Sequence, residues 1–171
     1  STYAVVISIV VIFLYILVRF RKWQYGLGAT ISLAHDVLIV LSLFSLFWGV
    51  LPFSLEIDQA FIAAILTVVG YSINDTVVVF DRVREYFTMY PKKEQKELIN
   101  LAVNSTLGRT INTSMTTFIV LLAMFIVGGE AIKGFIFAIM IGVVVGTYSS
   151  ICIATPSVLD FTKKKDDTKS L

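Results

Sequence analysis

The chain has 171 residues, 57% of them hydrophobic and 15% charged, with a formal net charge of +2 and a mean hydropathy of +0.85. A soluble domain of this length cannot cover so much apolar surface, which excludes a water-soluble globular protein. The apolar residues come in continuous runs, not alternating ones, and this excludes a transmembrane barrel.

What remains is an all-α, polytopic transmembrane helix bundle. Five runs follow one another at about 3–20, 27–51, 59–80, 108–128 and 132–155, each long enough to cross about 30 Å of hydrocarbon as a helix. Between the third and fourth runs, Pro91 opens the stretch KKEQKELINLAVNS. Its charges come first and its apolar residues collect on one side, so a short interfacial helix is expected at about 91–104. Residues 161–171 carry Lys163, Lys164, Lys165 and Lys169 and are expected to form a disordered basic tail, which leaves 1–160 as the bundle.

The 14 Lys and Arg residues set the orientation. All but Lys133 fall in the segment after the first run, in the loop after the third with Arg109 beyond it, or in the tail. The positive-inside rule places those segments in the cytoplasm, so the N-terminus is expected outside and the C-terminus inside. The cations then read as anchors facing an anionic lipid leaflet, with no nucleic-acid partner. Ser1 begins outside without a charged leader or an initiator Met. The chain is therefore expected to be the C-terminal part of a longer protein with at least one earlier span. A single Cys152, inside the last run, leaves no disulfide to form.

Chemistry concentrates in three runs. The second holds Ser32, His35 and Asp36 on adjoining turns. In the third, Ser72, Asp75 and Thr76 share a face, with Asn74 about 100° round the helix. The fourth carries Ser105, Arg109, Asn112, Thr113 and Thr116 at 3–4 spacing. Asp75 is the most telling of these. A carboxylate inside a span costs about 2.5–3.5 kcal/mol even on lenient insertion scales, so it needs a partner, a water-filled cavity or a proton. Arg109 lies at similar depth on another helix, and a switchable Asp75–Arg109 ion pair would relieve both. Beside the cation the carboxylate stays ionised; when the cation moves off in a dry environment it takes a proton. Asn74 can hydrogen-bond either form. His35, the one histidine, is of a residue type that changes charge near neutral pH, but a structural bond to Asp36 accounts for it equally well.

Other chemistries fit less well. A metal site from His35, Asp36 and Asp75 would lack a second His and any Cys pair. A twin-aspartate protease would need Asp36 and Asp75 to share a proton, which a nearby Arg109 disfavours. No enzymatic chemistry and no cofactor are expected, only a coupling ion. Ser72, Thr76 and Asn74 beside a carboxylate would suit H⁺ or Na⁺, and Arg109 favours H⁺. In the last run Gly134, Ala138, Gly142, Gly146 and Ser150 recur every four residues, a face on which helix backbones approach closely.

The segments AFIAAILTVVGYSINDTVVVFDRVRE and NSTLGRTINTSMTT resemble the SecF half of the bacterial SecD–SecF protein-export complex, of the resistance–nodulation–division superfamily. The likeness runs over essentially the whole chain. It implies spans two to six of a six-span unit, in the bacterial cytoplasmic (inner) membrane, that uses the proton-motive force to assist late steps of protein export. It implies as partners a SecD or SecD-like half, the Sec translocation channel, the translocating polypeptide and membrane lipid. It places the proton-coupling pair at Asp75 and Arg109, with Asn74, Asp36 and Asp81 in support. A proton-driven small-solute or lipid exporter of the same superfamily is the alternative. A scaffold whose polar groups only fix helix register is a third reading.

Overall fold

The computed structural model describes residues 2–167, and within them the side chains other than those of residues 2, 4–6, 8, 9 and 162–167. Helix α1 (Thr2–Phe20) is followed by α2 (Trp23–Phe47), α3 (Gln59–Met89), α4 (Gln95–Val127) and α5 (Glu130–Ser149). A π-helical turn, Ser150–Ala154, then leads without a break into α6 (Thr155–Asp167). Four helical stretches are long and apolar enough to span a membrane, the last of them Glu130–Phe161 across the π turn; α1, with 19 residues, makes the fifth.

Local chemistry sets the helix ends. The turn between α1 and α2 places Arg21 at φ 55, the left-handed conformation that commonly ends a helix, and its amide bonds the Leu17 carbonyl at 2.8 Å. Asp58 caps α3 by accepting from the Phe61 amide at 2.8 Å. At 1.5 Å per residue, α3 and α4 are about 46 and 50 Å long, more than a bilayer core of about 30 Å. Their joined ends, around Tyr90–Glu94, therefore project as a helical hairpin.

Two expectations are corrected here. No separate interfacial helix covers 91–104: Pro91–Glu94 is the connection, and Gln95 begins a helix that runs unbroken to Val127. Gly108, with open space around it, is the one glycine in α4 and disfavours helix by about 1 kcal/mol, too little to divide 33 residues. The tail is not irregular from residue 161 either, because α6 continues to Asp167; residues 168–171 lie outside the described residues.

The interior is layered. One apolar cluster gathers Phe20, Tyr25, Ala29, Val79, Phe80, Val83, Ala102 and Val158. A second gathers Val40, Phe44, Phe61, Ala64, Ile65, Ala138 and Val143. Between the two clusters, buried polar residues stand among apolar ones: Ser32 and Asp36 on α2, Ser72, Asp75 and Thr76 on α3, Ser149 at the end of α5 and Ser150 in the π turn. A polar stratum thus sits inside the membrane-length part of the bundle, between two apolar clusters.

Candidate functional site

Two carboxylates occupy the polar stratum, and their surroundings differ. Asp36 is fully buried. Its Oδ2 accepts from Ser72 Oγ at 2.7 Å and from Ser149 Oγ at 2.8 Å, while His35 Nδ1 lies 3.2 Å from its Oδ1. One side chain of α2 is thereby tied to α3 and α5. His35 itself is about one-third exposed and tilts against the Tyr148 ring of α5. Beside this junction Thr76 Oγ1 and Ser150 Oγ are 2.8 Å apart, so the consecutive residues Ser149 and Ser150 each reach a different partner. Thr155 Oγ1 donates to the Ser150 carbonyl at 2.9 Å, satisfying an acceptor that the π turn displaces from its usual amide.

Asp75 is only 4% exposed, yet its Oδ2 has no hydrogen-bond partner. Such an oxygen inside a protein forfeits its hydration without replacement, at about 1–3 kcal/mol or more when charged. Burial withdraws water from this carboxylate, and the nearest charge to act on it is that of Arg109. The ion pairs of the described side chains join Arg19 to Asp81, His35 to Asp36, Arg82 to Glu85, Lys93 to Glu97 and Lys133 to Glu130. An Asp75–Arg109 contact is not among them: the two side chains do not form an ion pair in this structure. Arg109 is exposed and lines a groove of about 370 Å³ with Asp81, Arg82, Glu85, Ser105 and Thr106.

Toward the other end of α3 lies a group of hydroxyls absent from the sequence reading. Ser114 Oγ is 2.5 Å from Thr147 Oγ1, and the Tyr71 hydroxyl lies 3.5 Å from Ser114 Oγ and 3.4 Å from Thr117 Oγ1. Their signal was present but faint. Tyr71 precedes Asp75 by four residues and shares its face, while Ser114 and Thr117 read as ordinary polar residues in a Thr-rich span. Ser149, the donor that completes Asp36, was missed for the same reason. Of the residues expected to support Asp75, Ser72 turns to Asp36 and Thr76 to Ser150. Asn74, Asn112 and Thr116 are exposed on the outer face of the bundle, and Thr113 is half-buried.

The small residues of α5 set how closely α3 can lie. A Cβ on Gly142 would overlap the Val68 side chain, and one on Gly146 would stand 3.0 Å from Ser72 Cβ. Ala138 and Ser150 are fully buried, and Gly134 lies against the Ser54 carbonyl. This close approach carries Ser149 to the carboxylate of Asp36. Among the described residues no three of His, Cys, Asp and Glu come together as a metal site would require.

The chain is similar to known proteins in sequence and in fold. Residues 1–164 match the family described as protein export membrane protein SecD/SecF, C-terminal. The protein translocase subunit SecF of Rhodothermus marinus is 57% identical over 160 residues, 94% of this chain and 52% of that protein. The SecF subunit of Petrotoga mobilis is 43% identical over 167 residues, 98% of this chain and 53% of that protein. A crystal structure of SecDF in its super-membrane-facing form superimposes with a TM-score of 0.86 at 39% identity, covering 95% of this chain and 21% of that one. The chain thus spans about half the length of the curated relatives it matches. With a family match over nearly its whole length and two relatives this similar, the chain belongs to the SecD/SecF C-terminal family of protein export membrane proteins.

Proposed function

We propose that this bundle is the membrane part of a proton-motive-force-coupled component of the Sec protein translocation machinery, which assists late steps of export across the bacterial cytoplasmic membrane without catalytic chemistry of its own. The observation that carries the reading is the buried, unpartnered Oδ2 of Asp75 beside the charge of Arg109. An oxygen left in this condition gains most from binding a proton or a cation. Arg109 repels a metal cation but not a neutral acid, so the coupling ion of this proposal is H⁺. A proton on Asp75 weakens its attraction to Arg109; its loss restores it. A helix shift that opens and closes the Asp75–Arg109 pair is then coupled to proton passage.

The partner surface follows from polarity. Asn74, Arg109, Asn112 and Thr116 are exposed on α3 and α4, and such groups are costly against lipid. A SecD-like half covering them, with the translocation channel and the moving polypeptide beyond, is the assembly this reading calls for. The cationic ends at Arg19–Lys22 and Arg82–Lys96 then face the cytoplasm, with the N-terminus outside and the C-terminus inside.

The test is export driven by the proton-motive force in cells whose full-length protein carries Asp75→Asn, with its membrane abundance checked. We expect export after initiation to fall to the level of a deletion while the protein accumulates normally. Normal export by this variant would remove Asp75 from the mechanism.

A further inference from the structure

The last span does not run as one regular helix. At Ser150–Ala154 it widens into a π turn, and α6 then continues it. The cause is local. Pro156 has no amide to offer the carbonyl one turn back, and its ring crowds that carbonyl. Inside a membrane the freed carbonyls must be met by other groups, and a π turn with hydroxyls nearby does this. Here Thr155 Oγ1 donates to the Ser150 carbonyl at 2.9 Å and Ser157 Oγ to that of Ile153 at 2.7 Å.

The turn also decides which residues face inward. At about 100° per residue, the buried residues of α5 from Ile136 to Ser149 fall in one arc of about 160°. Continued as a regular helix, the same count would put Thr155 on the opposite side and bring Pro156 and Asp160 into the arc. The structure has the reverse: Ala154, Thr155 and Val158 are buried, while Pro156 and Asp160 are exposed. A π turn closes with one residue more than an α turn. It sets the helix back by about 100° and so returns Ala154, Thr155 and Val158 to the arc. The turn thus holds one residue more than a straight helix with the same inward face would need.

On the two sides of the turn the helix is fastened to different neighbours. Up to it, Gly142 and Gly146 lie against Val68 and Ser72 of α3, and Ser149 bonds Asp36. Ser150, the first residue of the turn, places Oγ 2.8 Å from Oγ1 of Thr76, the residue after Asp75. Beyond it, a Cβ on Gly28 of α2 would stand 2.8 Å from the Ala154 carbonyl oxygen and 3.1 Å from Val158 Cγ2. Val158 packs in the cluster of Phe20, Tyr25 and Phe80. Gly28 and Asp36 are about two turns apart on α2, so the two fastenings lie at different depths. We propose that the π turn is a hinge: α3 and α5 rock together about the Asp36 junction, and the bend at Ser150–Ala154 takes up the movement while α6 stays seated on α2. The proposal rests on the coupling reading, which requires a helix shift at Asp75, and adds where that shift is absorbed. Two features fit the turn for it. The surplus residue gives the backbone slack, and without a Pro156 amide one hydrogen bond fewer resists the bend.

The experiment stiffens the turn without emptying the core. Pro156→Ala restores an amide at an exposed position. Deletion of the exposed Cys152 removes the surplus residue and leaves the inward face in register. Each change, and both together, is placed in the full-length protein with its partner subunit, beside wild type and Asp75→Asn. Three quantities are read: proton-motive-force-driven export of a preprotein into vesicles, the unfolding temperature, and hydrogen exchange of the amides of 150–158 against those of α5. We expect the combined variant to accumulate, to unfold no earlier than wild type and to export about tenfold more slowly. In wild type the turn should exchange about tenfold faster than α5, and in the combined variant the two should match. Export within about twofold of wild type from a stiffened protein overturns the hinge. Lost export that comes with earlier unfolding overturns it too, because the turn is then only structural. If none of the variants accumulates, exchange in wild type decides: a turn as protected as α5 is no hinge. An inactive Asp75→Asn beside a stiffened protein that exports normally sinks the hinge alone; an active Asp75→Asn sinks the coupling reading beneath it.

Discussion

Asp36 and Asp75 are the same residue type, both in apolar runs, both buried and both inside one polar stratum of the bundle. Their difference lies in donors. Asp36 receives two hydroxyl protons on one oxygen and has a histidine ring at the other, whereas Asp75 keeps an oxygen with no partner. A carboxylate met by three side chains joins helices. One with an empty site is unstable in its charged form and gains from change. Depth in the membrane therefore does not separate a structural acid from a working one; the inventory of donors around it does.

The comparison breaks first, and most visibly, at Asp36. Asp36→Ala takes the acceptor from Ser72 and Ser149 and leaves both hydroxyls to find one in a dry interior. Bonds to a charged acceptor contribute about 1.5–3 kcal/mol each, partly recovered here because both serines can turn to backbone carbonyls; Ser149 already reaches that of Gly146 at 3.2 Å. A net loss of about 3 kcal/mol is expected, read as an earlier thermal unfolding of the purified full-length protein. An unfolding temperature equal to wild type would mean that the carboxylate does not tie α2 to α3 and α5.

A smaller effect is expected where two helices are held close enough for that bond. Gly142→Ala drives a methyl into Val68, which is fully buried. Overpacking of this kind costs about 1–3 kcal/mol, and we expect about 2. Moving α5 off α3 also draws Ser149 from Asp36. In the Asp36→Ala background the same glycine substitution should therefore cost less, by more than the ~0.5 kcal/mol within which independent sites add. Strict additivity would show that close packing and the carboxylate junction are separate features.

How much of this was legible beforehand follows from what each feature depends on. The spans were readable because a run of about 20 apolar residues has few other places to go. Where a helix stops was harder: Asp81–Met89 and Gln95–Asn104 are polar enough to end a span but contain nothing that ends a helix, so α3 and α4 run on past their apolar parts. Asp36, Asp75 and Arg109 stood out as charges among Leu, Ile and Val. Their partners did not, because a partner across a helix interface is set by the azimuth of both helices, and a step of one residue turns a side chain by 100°. That step puts Asn74 on the outside while Asp75 points in, and gives Ser72 to Asp36 instead of to its neighbour. Ser149 and Tyr71 carried no charge to mark them.

The smallest expected effect sharpens the comparison most, since it concerns stability at the residue whose loss should abolish export. Asp75→Asn replaces an oxygen that makes no hydrogen bond with an amide of nearly the same shape. Two consequences oppose each other. A buried carboxylate is no longer kept from water, which favours the variant. The attraction of Arg109 is lost, but Arg109 is exposed and its contribution is screened accordingly. The balance should lie within about 1 kcal/mol of wild type, of either sign, and appear as an unfolding temperature close to that of the unaltered protein. A loss as large as that of Asp36→Ala would make Asp75 a second structural junction, and the contrast between a filled and an empty carboxylate would then carry no functional meaning. Near-neutral stability together with lost export is the one combination that a register-fixing scaffold does not produce, because in a scaffold the residue that matters is the residue that holds.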